Sequence, residues 1–384
     1  MRAAKTRALS IRSEAEAASA DASLADVPYS HKGLTYPLGR RGPEPGELIA
    51  LADGIGWARL PVPGSLKHIN VWALDDGEGP GAGSGGVALV DTGLDIPPSR
   101  EAWEALFAGP LAGRTVTRII VTHFHPDHVG LAGWLAERFS VPMWMSREEW
   151  LFARMLSIDV RDAPPEAAIS YWRGAGWSEE RIEVERAKGW GRFASVVSPV
   201  PVSFVRMRDG DRIPVGSRTW RVVVGSGHCP EHACLVDEQS GVMIAGDQVL
   251  PRITSNVSLS LSEPEADPLG DWLSSIAKLR ELPSGLLVLP SHGEPFTGLH
   301  ARLDALAEGH RGRLDALHRH LDQPRRAVDC FSVLFGRAID DGVLGLATGE
   351  AMAHLRRLEV EGRAARTERD GVLWFEASPA PGSL

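Results

Sequence analysis

Residues 121–130 read VTHFHPDHVG. His123, His125, Asp127 and His128 fall within six positions, directly after the β-branched run RTVTRIIVT at 114–122. His123 and His125 are two residues apart, so in extended chain their side chains point the same way. Pro126 then forces a turn, and Asp127 and His128 point elsewhere. One loop can thus offer donors to two neighbouring ions. Imidazole with carboxylate suits zinc, and also iron or manganese. A surface turn would account for one such histidine, but not for four donors in six positions at a strand end.

Further donors recur in the same setting. His228 follows an apolar strand and a glycine turn in VVVGSGH, Asp247 ends GVMIAGD, and His292 ends GLLVLPSH. Chemistry gathers where strands end and loops begin. His232, four residues after His228, is a rival donor. Because His228 follows the strand directly, His232 reads better as a residue that orients a ligand or lies at the surface. Cys229 reads as a small buried residue in preference to a thiol acting near a metal.

The elements that must position these residues alternate strand and helix around a buried sheet. Paired short strands are expected over 47–75, a flexible glycine-rich turn over 77–86, and a strand at GVALVDTG carrying Asp91. Helices are expected over 99–113 and 130–139. Residues 147–195, rich in Trp, Arg and Glu, break the rhythm and read as a helical insertion. Its Trp150, Trp172, Trp177 and Trp190, with Tyr171 and Arg173, would either form a lid over a hydrophobic or acyl substrate or pack helices; packing is the preferred reading for most of them.

From about residue 300 the character changes. Helices are expected over 300–321, 327–338 and 348–361, the last with Thr348 as N-cap and Gly362 just past its end. Two short strands, RAART and VLWFE, then flank ERDG. That is the order of a winged-helix module. Its basic and acidic residues are balanced, so a packing or dimerisation role is preferred to duplex DNA binding, which needs a basic face.

Bulk properties narrow the class. The 384 residues suit one large domain plus a smaller one. A net charge of −9 gives no global attraction to nucleic acid or an acidic membrane. Three cysteines, Cys229, Cys234 and Cys330, point to a reduced, cytoplasmic protein and not to a disulfide scaffold. No apolar run approaches a membrane span. The Ala/Ser-rich residues 1–30 read as an unstructured tail with no secretory signal.

HFHPDH, GSGHCPEH, AGD and PSHG, with VDTG upstream, together resemble the metallo-β-lactamase fold superfamily over about residues 47–300. The resemblance implies an α/β fold, an αββα sandwich with metals at one edge between the sheets. It implies that His123, His125 and His228 hold one metal ion, that Asp127, His128 and His292 hold a second, and that Asp247 bridges them. Asp91 would orient a ligand. The usual Pro-Gly-His reads Ser226-Gly227-His228 here, and the insertion lengthens the gap between His128 and His228. The tail resembles the winged-helix-like extension that a subgroup of these hydrolases carries after the last histidine. The expected domains are therefore a catalytic domain over 31–300 and a C-terminal domain over 301–384.

The implied cofactor is two divalent ions, zinc first, with iron or manganese as alternatives. Two ions ~3.5–4 Å apart lower the pKa of a shared water towards neutrality, so that a bridging hydroxide attacks an electrophilic centre, while Asp127 and Asp247 accept or shuttle a proton. The expected substrate is a small-molecule ester, lactone or thioester. The alternatives are an RNA phosphodiester and a DNA-binding regulator with a degenerate hydrolase domain. A homodimer is a further expectation for the tail.

Overall fold

The computed structural model describes residues 27–77 and 85–378. Most of the expected tail and of the glycine-rich turn lies outside the described residues. Tyr29 and Ser30, assigned to that tail, instead pair with Tyr36 and Thr35 in a small hairpin of β1 (Tyr29–His31) and β2 (Leu34–Tyr36).

Two larger sheets follow. The first runs in chain order through β3 (Ile49–Ala52), β4 (Ile55–Pro61), β5 (His68–Gly77), β6 (Gly86–Val90), β7 (Thr115–Ile120), β8 (Met143–Met145) and β9 (Val205–Arg206). Neighbours are antiparallel up to β6 and parallel from there on. Parallel neighbours need crossovers. Helices supply them: α1 (Pro97–Ala108) before β7, α2 (Pro126–Val129) and α3 (Ala132–Phe139) before β8, and α4 (Arg147–Ile158), α5 (Glu166–Gly174) and α6 (Glu179–Arg186) before β9. The last three form the expected helical insertion. The second sheet is β10 (Arg212–Val215), β11 (Arg218–Gly225), β12 (His232–Asp237), β13 (Val242–Gly246) and β14 (Leu287–Pro290), with α7 (Pro268–Leu279) crossing between the parallel β13 and β14.

Strand alternation divides the core into layers. In β6, Ala88 and Val90 face the second sheet, where Trp57, Trp72, Trp220, Leu235 and Ile244 fill the space between sheets. Val87 and Leu89 face the other way, against Trp103, Leu106 and Leu135 of the outer helices. The far side of the second sheet, Val223, Val236 and Met243, packs on Trp272 and Ile276 of α7. The result is helix, sheet, sheet, helix, the sandwich that the motifs imply, with the central strands β6 and β13 apolar on both faces.

The chain ends in α8 (Leu299–His320), a 3-10 turn at Ala327–Cys330, α9 (Phe331–Leu334), α10 (Leu344–Val360) and the hairpin β15 (Ala364–Arg369) and β16 (Val372–Ala377). The helix expected over 327–338 is shorter, because Phe335 turns extended (φ −119°, ψ 126°) ahead of Gly336. The last helix starts before Thr348. The Thr348 hydroxyl donates back to the Leu344 carbonyl at 2.8 Å, a bond made within a helix and not at a cap. Gly362 ends the helix as expected. At φ +69° it lets the Arg363 amide reach the Leu358 carbonyl at 2.8 Å.

These terminal elements share a core with the sandwich. Leu355, Leu358 and Phe375 belong to the same apolar cluster as Val223 and Trp272, and so do Ile169, Trp177 and Ile182 of the insertion. The Trp177 indole N–H donates to Thr348 Oγ1 at 2.9 Å, which ties insertion to tail. Trp150 stacks on Phe204 at 4.5 Å, Trp172 stacks on Trp177 at 5.3 Å, and Trp190 donates to Asp159 at 2.8 Å. All four tryptophans thus pack against protein.

Between α8 and α10 lie two buried histidines. His354 Nδ1 donates to the Glu350 carbonyl at 2.8 Å, and its Nε2 faces His310 Nδ1 at 3.3 Å. Burial lowers His310 to about 3, helped by His354 and Arg313, and lowers His354 to about 4. Both stay neutral in the folded chain, whereas the unfolded chain takes up their protons below the ordinary value of 6.5. Stability should therefore fall as pH drops from about 6.5 towards 4, by up to about 1.4 kcal/mol per pH unit for each histidine. His354→Asn should flatten that slope in denaturant unfolding measured at several pH values; an unchanged slope would rule the pair out as its source.

Candidate metal centre

The donors expected from sequence meet at one edge of the sandwich, most of them in the segments that join strands, with Asp127 and His128 on the short helix α2. β6 ends at Val90 and delivers Asp91, β7 delivers the 121–125 loop, β13 delivers Asp247, and β14 delivers Ser291 and His292. His228 lies in the turn between β11 and β12. His123 and His128 are fully buried, and Asp247 and His292 nearly so.

Three groups of donors can hold an ion: His123, His125 and His228; Asp127, His128 and His292; and His123, His128 and Asp247, which overlaps both. In the first, His123 Nε2, His125 Nδ1 and His228 Nε2 lie 2.8, 3.0 and 3.2 Å from one another. A tetrahedral ion with bonds of ~2.0–2.1 Å has ligand–ligand edges of about 3.3–3.4 Å, so this triangle is close to the required size. In the second, His292 Nε2 is 3.3 Å and His128 Nε2 3.8 Å from Asp127 Oδ2. Asp247 lies between the groups. Its Oδ2 is 3.5 Å from His228 Nε2, and its Oδ1 is 3.6 Å from both His128 Nε2 and His292 Nε2.

His128 Nε2, His292 Nε2 and Asp247 Oδ1 are buried without hydrogen-bond partners. Buried polar atoms are normally partnered, and three orphans aimed at one space fit a cation there. Protonation states fit too. Burial and neighbouring imidazoles push His123 well below its ordinary value, and burial with His228 takes His125 to about 3, so both present lone pairs. Burial opposes charge on Asp247 and His128, but neighbouring charges outweigh it: His292 and His128 hold Asp247 ionised, and Asp91, Asp127 and Asp247 raise His128. Until a metal replaces it, a proton on His128 balances these carboxylates.

A second row of groups fixes each ring. His128 Nδ1 donates to Asp91 Oδ2 at 2.8 Å, His292 Nδ1 to the His68 carbonyl at 2.8 Å, and His228 Nδ1 to the Asn256 carbonyl at 2.7 Å. In each case the other nitrogen is left free to face the site. Asp91 sits at φ +60°, where it also accepts from the Thr122 amide and hydroxyl at 2.8 and 2.9 Å. His232 is not among the donor groups. Its Nε2 accepts from the Asp247 amide at 3.0 Å, and Gly246 (φ +52°) has no room for a side chain, since a Cβ there would lie 2.4 Å from the His232 ring. Cys229 is buried.

Four contributors escaped the sequence reading. Thr122 is described above. Asn70, on β5, holds the Pro290 and Gly293 carbonyls at 2.7 and 2.8 Å and so pins the loop of His292. Asn256 offers only a backbone carbonyl and has no sequence signature. Glu149, in the insertion, is fully buried and accepts from the Phe124 and Glu231 amides at 2.8 and 2.7 Å. A glutamate in a charged helical stretch reads as solvated; only its position in the fold shows otherwise.

Residues 66–292 match the metallo-beta-lactamase superfamily, and residues 314–378 match a metallo-beta-lactamase-like C-terminal domain. A beta-lactamase domain protein from Burkholderia ambifaria, known from its crystal structure, is 37% identical and superimposes with a TM-score of 0.83 over 90% of this chain and 98% of its own. A probable metallo-hydrolase from Bacillus subtilis is 26% identical over 313 residues, 79% of this chain and 91% of the relative. An atrochrysone carboxyl ACP thioesterase from Emericella nidulans is 24% identical over 294 residues, 75% of each chain.

Replacing Asp91 by Asn keeps the shape but removes the charge that holds the His128 ring. Metal affinity should fall ~10–100-fold, read by competition with a chromogenic chelator. Unchanged affinity would show that Asp91 supports the loop alone.

Proposed function

The chain belongs to the metallo-beta-lactamase superfamily, and from that membership and the convergence of its donors we propose a binuclear metal-dependent hydrolase of small acyl substrates. The observation that carries this reading is Asp247, a buried carboxylate whose two oxygens face different donor groups. His123, His125 and His228 would hold one ion, Asp127, His128 and His292 the other, and Asp247 both; zinc suits this mixture of imidazole and carboxylate. When bound, such a pair polarises a substrate oxygen and activates water for attack.

The chain's own residues do the rest. Asp91 and the carbonyls of His68 and Asn256 each accept the Nδ1 hydrogen bond of the attached ring, which turns its Nε2 towards the site. Asp127 and Asp247 are the carboxylates at which a proton can be taken up or passed on. Short connections anchored on strand ends and the helix α2 hold the donors, so little reorganisation accompanies reaction.

Among acyl substrates, a thioester is the favoured case. A relative bears the name of an acyl carrier protein thioesterase. Beside the site, α4 stacks Phe152 on Phe124, between the two histidines, and turns Leu151, Met155 and Ile158 to solvent, an apolar stripe that would meet an acyl chain. The C-terminal helices fit packing better than DNA reading. Arg356, Arg357, Arg363 and Arg366 are each paired with acidic residues, among them Glu359, Asp267, Asp315 and Glu265, which removes the basic face that phosphates require. Three unpaired, buried cysteines fit the cytoplasm. No helix among the described residues is long and apolar enough to cross a membrane.

Elemental analysis after metal-supplemented expression should return about two transition-metal ions per chain. Asp247→Ala should lose metal and activity together; retained activity at normal metal content would remove its bridging role. In a hydrolysis screen of the metal-loaded protein against acyl thioesters, p-nitrophenyl esters, lactones, β-lactams and a labelled RNA, turnover is expected on thioesters or esters. Cleavage of RNA alone would overturn the acyl reading.

A further inference from the structure

Glu149 lies outside the donor set, on the first helix of the insertion, and is fully buried. Its Oε2 accepts the Phe124 amide at 2.8 Å, and Phe124 sits between His123 and His125. Its Oε1 accepts the Glu231 amide at 2.7 Å, three residues beyond His228. One carboxylate therefore spans the two loops that carry His123, His125 and His228.

The contact is reciprocal. Glu231 Oε2 accepts the Glu148 amide at 2.9 Å, and Ser146 Oγ donates to the Glu231 carbonyl at 2.8 Å. Ser146, at the cap position of α4, makes no side-chain cap of its own. A carboxylate from the ligand loop takes that role, where the helix N-terminus favours negative charge. Phe152 stacks on Phe124 at 5.3 Å one turn further along. The start of the insertion is bolted to the first donor triangle and not merely laid over it.

We propose that Glu149 is a positioning residue for the ion held by His123, His125 and His228, setting the separation of the two loops and so the size of that triangle. This rests on reading those donors as a metal centre. The second group, Asp127, His128 and His292, takes its outer support from Asp91 and the His68 carbonyl, and among the described residues no hydrogen bond joins it to Glu149. The effect of losing Glu149 should therefore be confined to one ion.

Glu149→Gln is nearly isosteric but leaves one amide N–H facing an NH2 group, so only one loop keeps its acceptor. The test titrates full-length protein with cobalt(II), following its visible absorption, and with zinc against a chelator. Trp150→Phe, on the same helix as Glu149, serves as control: it removes the indole hydrogen bond to the Pro201 carbonyl, and that side chain hydrogen-bonds neither ligand loop. Glu149→Gln should weaken one of two binding steps ~10–100-fold and shift the cobalt absorption of that step, leaving the other step within about threefold. Glu149→Asp, which keeps two acceptors on a shorter stem, should fall between Gln and wild type; it carries the test should the Gln variant not fold. Wild type binding no metal would sink the metal reading itself. Two normal sites in wild type with unchanged binding in Glu149→Gln, or an equal loss in Trp150→Phe, would overturn the proposal.

Discussion

A buried anion needs a cation, and the edge of this sandwich is built around that constraint. Asp247 is nearly enclosed, ionised, and faced by the imidazoles of His123, His128, His228 and His292. Left alone, such charge would be costly in a low-dielectric surrounding. The arrangement makes sense only if positive charge is supplied, by protons on His128 and His292 or by metal. Each surrounding element either presents a donor to that space or stops one from turning away. The strands do the first, because a strand end is rigid and all the contributing strands end at the same edge. Asp91, Asn70, Asn256 and the His68 carbonyl do the second.

The outer parts of the chain serve the same end. The last long helix lies directly on residues 255–259: the Leu259 amide donates to the Gly349 carbonyl at 3.0 Å, and a Cβ at Gly349 would lie 2.5 Å from Ser258 Oγ. Asn256, within that segment, offers both the carbonyl that orients His228 and an amide that reaches Glu350 at 3.2 Å. The insertion reaches the opposite side of the same donor triangle through Glu149. Insertion and tail then meet at Trp177 and Thr348. They form a brace around the metal edge from without, while the sheets hold it from within.

Much of this was legible in the chain. The donors announce themselves because metal chemistry demands particular residue types, and an apolar run before each polar cluster betrays a strand end. Apolar strands, the helical insertion and the terminal hairpin follow from periodicity and turn residues. What was not legible shares a cause. Asn256 acts through its backbone, Asn70 through an amide in a strand, and Glu149 through burial that its charged neighbours conceal. The start of the last helix was misplaced at Thr348, since a threonine satisfied by Leu344 and Trp177 looks like a cap until its tertiary partner is known. Local pattern reveals which groups do chemistry; it does not reveal which groups hold them, because those partners are distant in sequence.

Gly246 shows how far that dependence reaches. Its missing side chain is the space His232 occupies, and His232 in turn receives the amide of Asp247. A position with no functional group is thus as constrained as a donor, by a histidine outside the three donor groups. For anyone reshaping this scaffold, the freedom to vary residues around the metal edge is smaller than the donor count suggests. Position 246 cannot be diversified unless position 232 is redesigned with it, so the two must be treated as a single site.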